Sequence, residues 1–579
     1  MRRDEVTLIA GAMLSRLTGF ARDAAFAWLL GGGATADALA AALRLPFLAR
    51  RLFGEGTLSL TLATACGRQA KAARAALARA VTRRLAGGVC LVTLIVMVFA
   101  PRIVALFAPG LGERPEVLDQ AATLFRITAP YLIFVTLAAG RMAALHSRQR
   151  FLLPALAPAA FNVVTLAFAG AACLLVSSSG MSEGDAGLAA CWLAGGVLAG
   201  GVCQWLMQRA EPERLASDRA GCARVDPAVV RAVLGRIPVG IFGAAMPQLA
   251  FVAAAGLASF LPGGHLAALF YAERLLEFPL GVLGAAVGMA AAPRLTELIR
   301  REEEGGQASA PDGTGGPAAQ GHAALGREVR RAVSLTLALN LPAAAGLMAV
   351  CDPLVALVFG RGAFSAEAVD MTALALCAYA PGLPAYALSR PLLAACHALE
   401  DTATPARATA TGLGVVLAIG LVLLFPAIFG QMGDRAGECL PQAVQAAIPS
   451  TLADVVRANA ALVPPLAVSF GVWIYAILLW RGLTRTLRAS SGKDAHGFAP
   501  AVAALFWEGT GAVCVFGAAW GLARLCADRG WSPASTLCLG VPAGMAVYAA
   551  ILFFGNRALF VGLLSDIREK RRPRPGVSS

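Results

Sequence analysis

The sequence predicts an all-α polytopic membrane protein. It should have about fourteen transmembrane helices, forming two six-helix lobes around a central cavity plus two C-terminal helices. Three observations carry this. Hydrophobic residues make up 58% and charged residues 15% of 579, against roughly 25% charged in a soluble domain. Apolar runs of about 20 residues recur from end to end, the length that spans a hydrocarbon core as a helix. Alternate loops between these runs are rich in Arg, as loops on the cytoplasmic side are.

The spans are read at 7–30, 35–60, 84–107, 121–146, 152–177, 186–208, 233–261, 266–298, 328–359, 366–398, 404–429, 455–480, 498–525 and 533–564. Span 1 follows Met1-Arg-Arg. It is too long and too charged for the apolar core of a cleavable signal, so it is expected to stay as a helix. Span 2 contains Pro46, which lacks a backbone donor and tends to kink a helix. Span 9 contains Pro342 and Pro353, which predict an irregular last turn. Spans 2 and 8 resemble each other faintly: each has an Ala/Leu-rich turn, an Arg (Arg44; Arg274) and then a Pro (Pro46; Pro279). That repeat divides the chain into an N-lobe (1–208, spans 1–6), a linker (209–232) and a C-lobe (233–480, spans 7–12). Residues 481–579 then hold spans 13 and 14 and a basic tail.

The loop after span 2 carries Arg68, Lys71, Arg74, Arg79, Arg83 and Arg84 and no acid. Arg148 and Arg150 follow span 4, and Arg209, Arg214, Arg219, Arg224 and Arg231 follow span 6. Arg481, Arg485, Arg488 and Lys493 follow span 12. The intervening loops are neutral or acidic, so both termini are expected in the cytoplasm. Residues 302–326, rich in Gly, Ala and Pro, read as a flexible cytoplasmic linker, and 430–454 as an external loop with a short helix near 440–448. The net charge of +14 is accounted for by these loops, and no soluble segment is large enough to read nucleic acid. The 13 Cys include no CxxC pair, and Cys90, Cys173 and Cys377 read as small core residues within apolar runs.

The charges inside the first two spans are the informative feature. A charge at mid-bilayer costs roughly 2.5–3.5 kcal/mol even on the lenient insertion scale, so these residues should face a polar cavity rather than lipid. Span 1 holds Ser15, Arg16, Arg22 and Asp23; span 2 holds Asp37, Arg44, Arg50, Arg51 and Glu55. Span 8 adds Glu273, Arg274 and Glu277. Arg16 and Asp23 are seven apart and share a helix face, as do Arg44 and Arg51. Ion pairs that stitch helices together would account for some of them: Arg51 with Glu55, Arg16 or Arg22 with Asp23, Arg274 with Glu277. The six Arg outnumber the five acids, and Asp37 lies toward the external end. A surplus of guanidinium groups suits a phosphate, which Arg grips with paired hydrogen bonds. No Ser/His/Asp set, no nucleotide-binding loop and no acidic pair for metal chemistry is present, so an enzyme is not expected.

At these residues the chain resembles the MurJ (MviN) family, flippases of the multidrug/oligosaccharidyl-lipid/polysaccharide exporter superfamily. The resemblance runs through Ser15-Arg16, Gly19, Arg22-Asp23, Asp37-Ala38, Arg44, Pro46, Arg50-Arg51, Phe53 and Glu55-Gly56. It continues in Tyr271-Ala-Glu273-Arg274 with Glu277-Phe278-Pro279 and Gly281, and in Asp401-Thr402 with Thr404-Pro405. Phe47, Ala49, Gly54 and Cys396-His397 depart from the usual pattern. The resemblance implies export of lipid II, the undecaprenyl-pyrophosphate disaccharide-pentapeptide, across the bacterial inner membrane by alternating access. It implies that Arg16, Arg22, Arg50 and Arg274 bind the substrate. Ser15, Asp23, Asp37, Arg44, Pro46, Arg51, Glu55, Glu273, Glu277 and Asp401 would support or gate the site. The implied partners are lipid II and membrane lipids, with cell-wall synthesis and division machinery as protein partners.

No cofactor is expected, and coupling to a monovalent cation or to the membrane potential stays open. Span 7 (Ile237–Leu261) has no Asp or Glu, so the span 7 sodium site of some family members is not expected. The alternatives are a flippase for another polyprenyl-linked glycan, a cation or drug antiporter, which would need acids in its cavity, and a non-transporting scaffold.

Overall fold

The structure is a computed structural model that describes residues 3–54, 71–146, 150–175, 183–209, 226–283, 317–399, 401–431, 460–491 and 502–555. Among the described residues the chain is helical with no strand. Helix α1 (Arg3–Leu30) is followed by α2 (Ala34–Ala49), which runs through Pro46 and widens into a π-helical turn at Arg50–Gly54. Then come α3 (Lys71–Val98), α4 (Ala100–Phe107), α5 (Pro115–Thr128), α6 (Tyr131–His146), α7 (Leu152–Leu175) and α8 (Glu183–Arg209). The second group is α9 (Pro227–Ala244), α10 (Met246–Ala258), α11 (265–283), α12 (Pro317–Ala349) and α13 (Cys351–Val358). It continues with α14 (Ala366–Tyr379), α15 (Leu383–Ala398), α16 (Ala403–Gln431) and α17 (Val463–Ser491). Helices α18 (Val502–Asp528) and α19 (Pro533–Gly555) close the described chain.

Five spans are each built from two helices, and each break sits beside a proline: Pro101, Pro130, Pro247, Pro353 and the Pro381/Pro384 pair. Proline lacks the N–H that would extend the ladder and its ring meets the carbonyl four residues back. Span 9 breaks at Val350, before Pro353, whereas Pro342 sits inside α12 without interrupting it.

Ten of the fourteen spans are long and apolar enough to cross a membrane among the described residues. The four that fall short are spans 1, 2, 7 and 8. Spans 1, 2 and 8 carry the intramembrane charges, and span 7 is broken between α9 and α10. The strongest departures from an ordinary membrane helix therefore surround the candidate site.

In the first lobe α1 packs on α7 and α8, α2 on α5 and α8, and α3 on α6. In the second, α17 is the hub, touching α10, α12, α14, α15 and α16. Helices α18 and α19 pack on each other and on α12, outside both lobes. Burial follows this plan: 78% of the apolar window in α14–α15 lies inside the protein, against 17% in α3 and 22% in α18. The bare apolar faces, such as Leu91, Leu94, Ile95 and Val98 of α3, are what lipid covers. Cys90 and Cys173 lie on such faces, so the expectation that they are core residues fails for both; Cys377 is half-buried. The expected linker 302–326 is also shorter than read. Pro317 opens α12, and the following Ala, Gln and His residues extend it as helix. The first two residues of the expected 430–454 loop end α16, and its remainder, the rest of that linker and the basic tail lie outside the described residues.

The lobes meet tightly at the end that carries residues 28–37 and 259–267. The Asp37 carboxylate, fully buried, accepts the backbone N–H of Gly264 (2.8 Å) and of Ala267 (2.9 Å), capping α11 from the other lobe. Arg114 donates to Asp37 (3.3 Å) and to the carbonyl of Ser259 (3.2 Å). The Ala363 N–H donates to the carbonyl of Trp28 at 3.0 Å. Gly31 has φ +64° and sits so close to the Ala363 carbonyl that a Cβ would collide with it. At the opposite end, Leu77, Ala78 and Val81 of α3 and Ala139 and Ala143 of α6 form an apolar cluster with Val230 and Val233 of α9.

Candidate functional site

Between these ends the first lobe presents α1, α2 and the π-helical turn, and the second presents α10 and α11. The charges of spans 1, 2 and 8 converge here. A narrow cleft is lined by Arg44, Phe47, Arg51, Gln248, Glu273 and Arg274, among others.

Arg22 and Asp23 are 4% and 3% exposed. Adjacent in sequence, they pair directly, through Nε (2.9 Å) and Nη2 (2.7 Å) of Arg22. The remaining arm of Arg22 donates to Oδ1 of Asn162 on α7 (2.8 Å). Asn162 in turn donates to the Ser15 carbonyl at 2.8 Å and to the Thr18 hydroxyl at 3.3 Å. The Arg22 guanidinium lies 5.4 Å from the Phe47 ring centre, and that of Arg50 lies 4.7 Å from Phe161, both within cation–π range.

Arg44 and Arg51 reach across to the second lobe. Arg44 Nη1 bonds Glu273 Oε2 at 2.5 Å, and Arg51 Nη1 lies 3.2 Å from Glu273 Oε1. Arg51 also pairs with Glu277 and donates to the Gln248 amide oxygen. Arg274 bonds Glu277 at 3.3 Å and sits over Phe270 (4.7 Å) and Phe47 (5.0 Å). Of the expected stitching pairs, Arg22 with Asp23 and Arg274 with Glu277 are present. Arg51 is engaged by the two acids of α11, while Glu55 lies outside the described residues. Pro46 is buried in α2 one turn before these residues.

Arg16 is half-buried against α11: a Cβ added at Gly281 would strike its guanidinium. Asp401 stands at the head of α16, where its carboxylate accepts the N–H groups of Ala403 (3.1 Å) and Thr404 (2.9 Å). Asn162, Gln248, Arg114 and the rings of Phe47, Phe161 and Phe270 also belong to the site or its frame, although the charge pattern did not single them out. The two amides had a signal, since each is a lone strong polar group in an apolar span.

Arg44, Arg51 and Arg274 thus line the interlobe cleft with Glu273, while Arg22 and Arg50 lie against first-lobe partners and Arg16 against α11. Nε and Nη2 of Arg44 and Nε of Arg274 are buried without a hydrogen-bond partner. A buried donor left unpaired costs about 1–3 kcal/mol, more when charged, so the site is built to accept further oxygen atoms. Among the described residues no group of three His, Cys, Asp or Glu could hold a metal ion.

Fold and site together define a polytopic helical transporter of two lobes with a cationic interlobe site. The family model described as "Lipid II flippase MurJ" matches residues 26–437, so the chain belongs to the MurJ family. A probable lipid II flippase MurJ of Rhizobium meliloti (strain 1021) is 32% identical over 431 residues, covering 72% of this chain and 75% of that protein. Its counterpart in Vibrio cholerae serotype O1 is 30% identical over 447 residues, 74% of this chain and 78% of its own length. A solved lipid II flippase MurJ in an inward closed conformation superimposes with a TM-score of 0.67 at 18% identity, covering 96% of this chain and 99% of that one. A MOP superfamily transporter from Pyrococcus furiosus, at 13% identity and TM-score 0.55, covers 85% of this chain and 96% of that one. These two likenesses concern the fold.

Proposed function

We propose that this protein carries lipid II from the inner to the outer leaflet of the bacterial inner membrane, and that the interlobe Arg cluster holds the diphosphate. The observation that carries the reading is the set of buried, partnerless guanidinium nitrogens on Arg44 and Arg274, which line one cleft from the two lobes. A diphosphate supplies several oxygen acceptors at once, and Arg binds such groups through paired, charge-assisted bonds. Arg16, Arg22 and Arg50 complete the cluster. The glycan would occupy the interlobe space while the prenyl chain stays in lipid.

In this reading both termini are cytoplasmic, the lobes comprise residues 1–208 and 233–480, and the Asp37 end faces the periplasm. The chain transports without catalysing a reaction, and it needs no cofactor. The inside-negative potential acts on charge at about 2.3 kcal/mol per elementary charge per 100 mV, and it drives an anion outward. Cell-wall synthesis and division proteins are its partners in the membrane. The test is complementation in cells depleted of their own flippase, beside native mass spectrometry with added lipid II. Arg16→Ala and Arg274→Ala should each abolish growth support and lipid binding while the protein still reaches the membrane. Full support of growth by both variants would sink the anion site.

A further inference from the structure

Helices α18 and α19 lie outside both lobes, yet they bury an acid. Glu508, on α18, is 1% exposed, and its Oε1 has no hydrogen-bond partner. Its surroundings follow from the helix register. Gly511 lies against the Tyr548 ring, Gly544 against Val515 and Gly540 against the Ala519 carbonyl, so α18 and α19 run antiparallel with small residues at the seam. Gly346 faces Val515 and Val350 packs on Ala519, so α12 runs parallel to α18. Continuing that register places Glu508 level with residues 338–340 of α12. Tyr548 is the polar group facing it from α19, but its hydroxyl donates to the Ala338 carbonyl at 2.6 Å. On α12, Thr336 and Asn340 are the polar residues nearest this level, and both donate within their own helix. The nearest basic residues of α12, Arg330 and Arg331, lie two turns or more away along it. On α18 itself Arg524 and Asp528 stand four or more turns off.

Among the described residues an ionised carboxylate in this setting lacks both a cation and hydrogen-bond donors, and burial of such a group drives it to neutralise. A sodium ion would need several oxygen ligands, and the unpartnered side-chain oxygens described at this level are only the Glu508 carboxylate and Asn340 Oδ1. We infer that Glu508 is a proton-binding site. Its carboxyl is neutral while α18 is seated on α12, and it releases its proton when the α18–α19 pair moves and admits water. The pair is then a proton-sensitive element separate from the Arg cluster.

The test uses the full chain in lipid nanodiscs. Infrared spectra at neutral pH should show a protonated-carboxyl band that is lost in Glu508→Gln and shifted in Glu508→Asp. Hydrogen exchange of α18 amides should rise with pH in the parent protein and lose that dependence in Glu508→Gln, whose amide matches the neutral acid in shape. An unchanged band in Glu508→Gln, the same pH profile in both proteins, or a band that disappears on adding sodium ions would each overturn the assignment. These readouts do not involve lipid II, so they stand apart from the transport assay.

Discussion

Removing the Asp37 carboxylate should release the clasp between the lobes at one end of the molecule. Asp37, itself fully buried, accepts two backbone N–H groups from the start of α11 and faces the partly exposed Arg114. In Asp37→Ala those two N–H groups keep their burial but lose their acceptor, at about 1–3 kcal/mol each. Some of this is recovered as water enters, leaving about 3 kcal/mol in favour of separation, roughly a 100-fold shift in the opening equilibrium. Amide hydrogen exchange reads it directly, because the Gly264 and Ala267 amides exchange when the clasp is open. Both should exchange roughly 100-fold faster in Asp37→Ala, and by less in Asp37→Asn, which keeps one acceptor oxygen. Amides in α17, the hub of the second lobe, should not change. If the Gly264 and Ala267 amides exchange at the parent rate in Asp37→Ala, the clasp does not hold the lobes together.

Two further perturbations probe the interlobe site. Gly281→Leu should push the Arg16 guanidinium off α11, lowering lipid II binding by at least roughly tenfold in native mass spectrometry, because a side chain has no room there. Glu273→Gln removes the negative charge and one of the two acceptor oxygens shared by Arg44 and Arg51, leaving both guanidinium groups without that counter-charge. A loss of about 3–5 kcal/mol of interlobe attraction should lower the thermal midpoint, and added diphosphate should restore part of it by filling the vacated place.

The fold was legible because membrane helices announce themselves by length and apolarity, and the charged residues by violating that pattern. Each of the fourteen expected spans overlaps a described helix, while parts of spans 2, 5, 8, 12, 13 and 14 lie outside the described residues. The site was legible in outline for the same reason: Arg44, Arg51, Glu273, Arg274 and Glu277 stand out in a linear reading. What the linear reading could not supply was pairing. Arg51 and Glu55 are spaced one helical turn apart, but the chain changes to a π-helical turn at Arg50, and Arg51 is taken up by Glu273 and Glu277 of a helix more than 200 residues away. Arg114 escaped notice because it sits in a loop between helices, where an Arg is unremarkable until the fold sets it beside Asp37. Asn162 escaped because an amide carries no charge to betray it, although it ties Arg22 and the Ser15 carbonyl of α1 to α7.

The two acids of α11 also give the site a built-in competitor. Glu273 and Glu277 already occupy guanidinium arms of Arg44, Arg51 and Arg274, so in the proposed reading an incoming anion exchanges with them as well as filling the free nitrogens of Arg44 and Arg274. Those same carboxylates bridge α2 to α11. In the proposed reading each one displaced loosens the joint between the lobes, and each one that returns helps to expel the cargo. A single pair of glutamates thereby makes occupancy of the site and attachment of the lobes alternatives to each other.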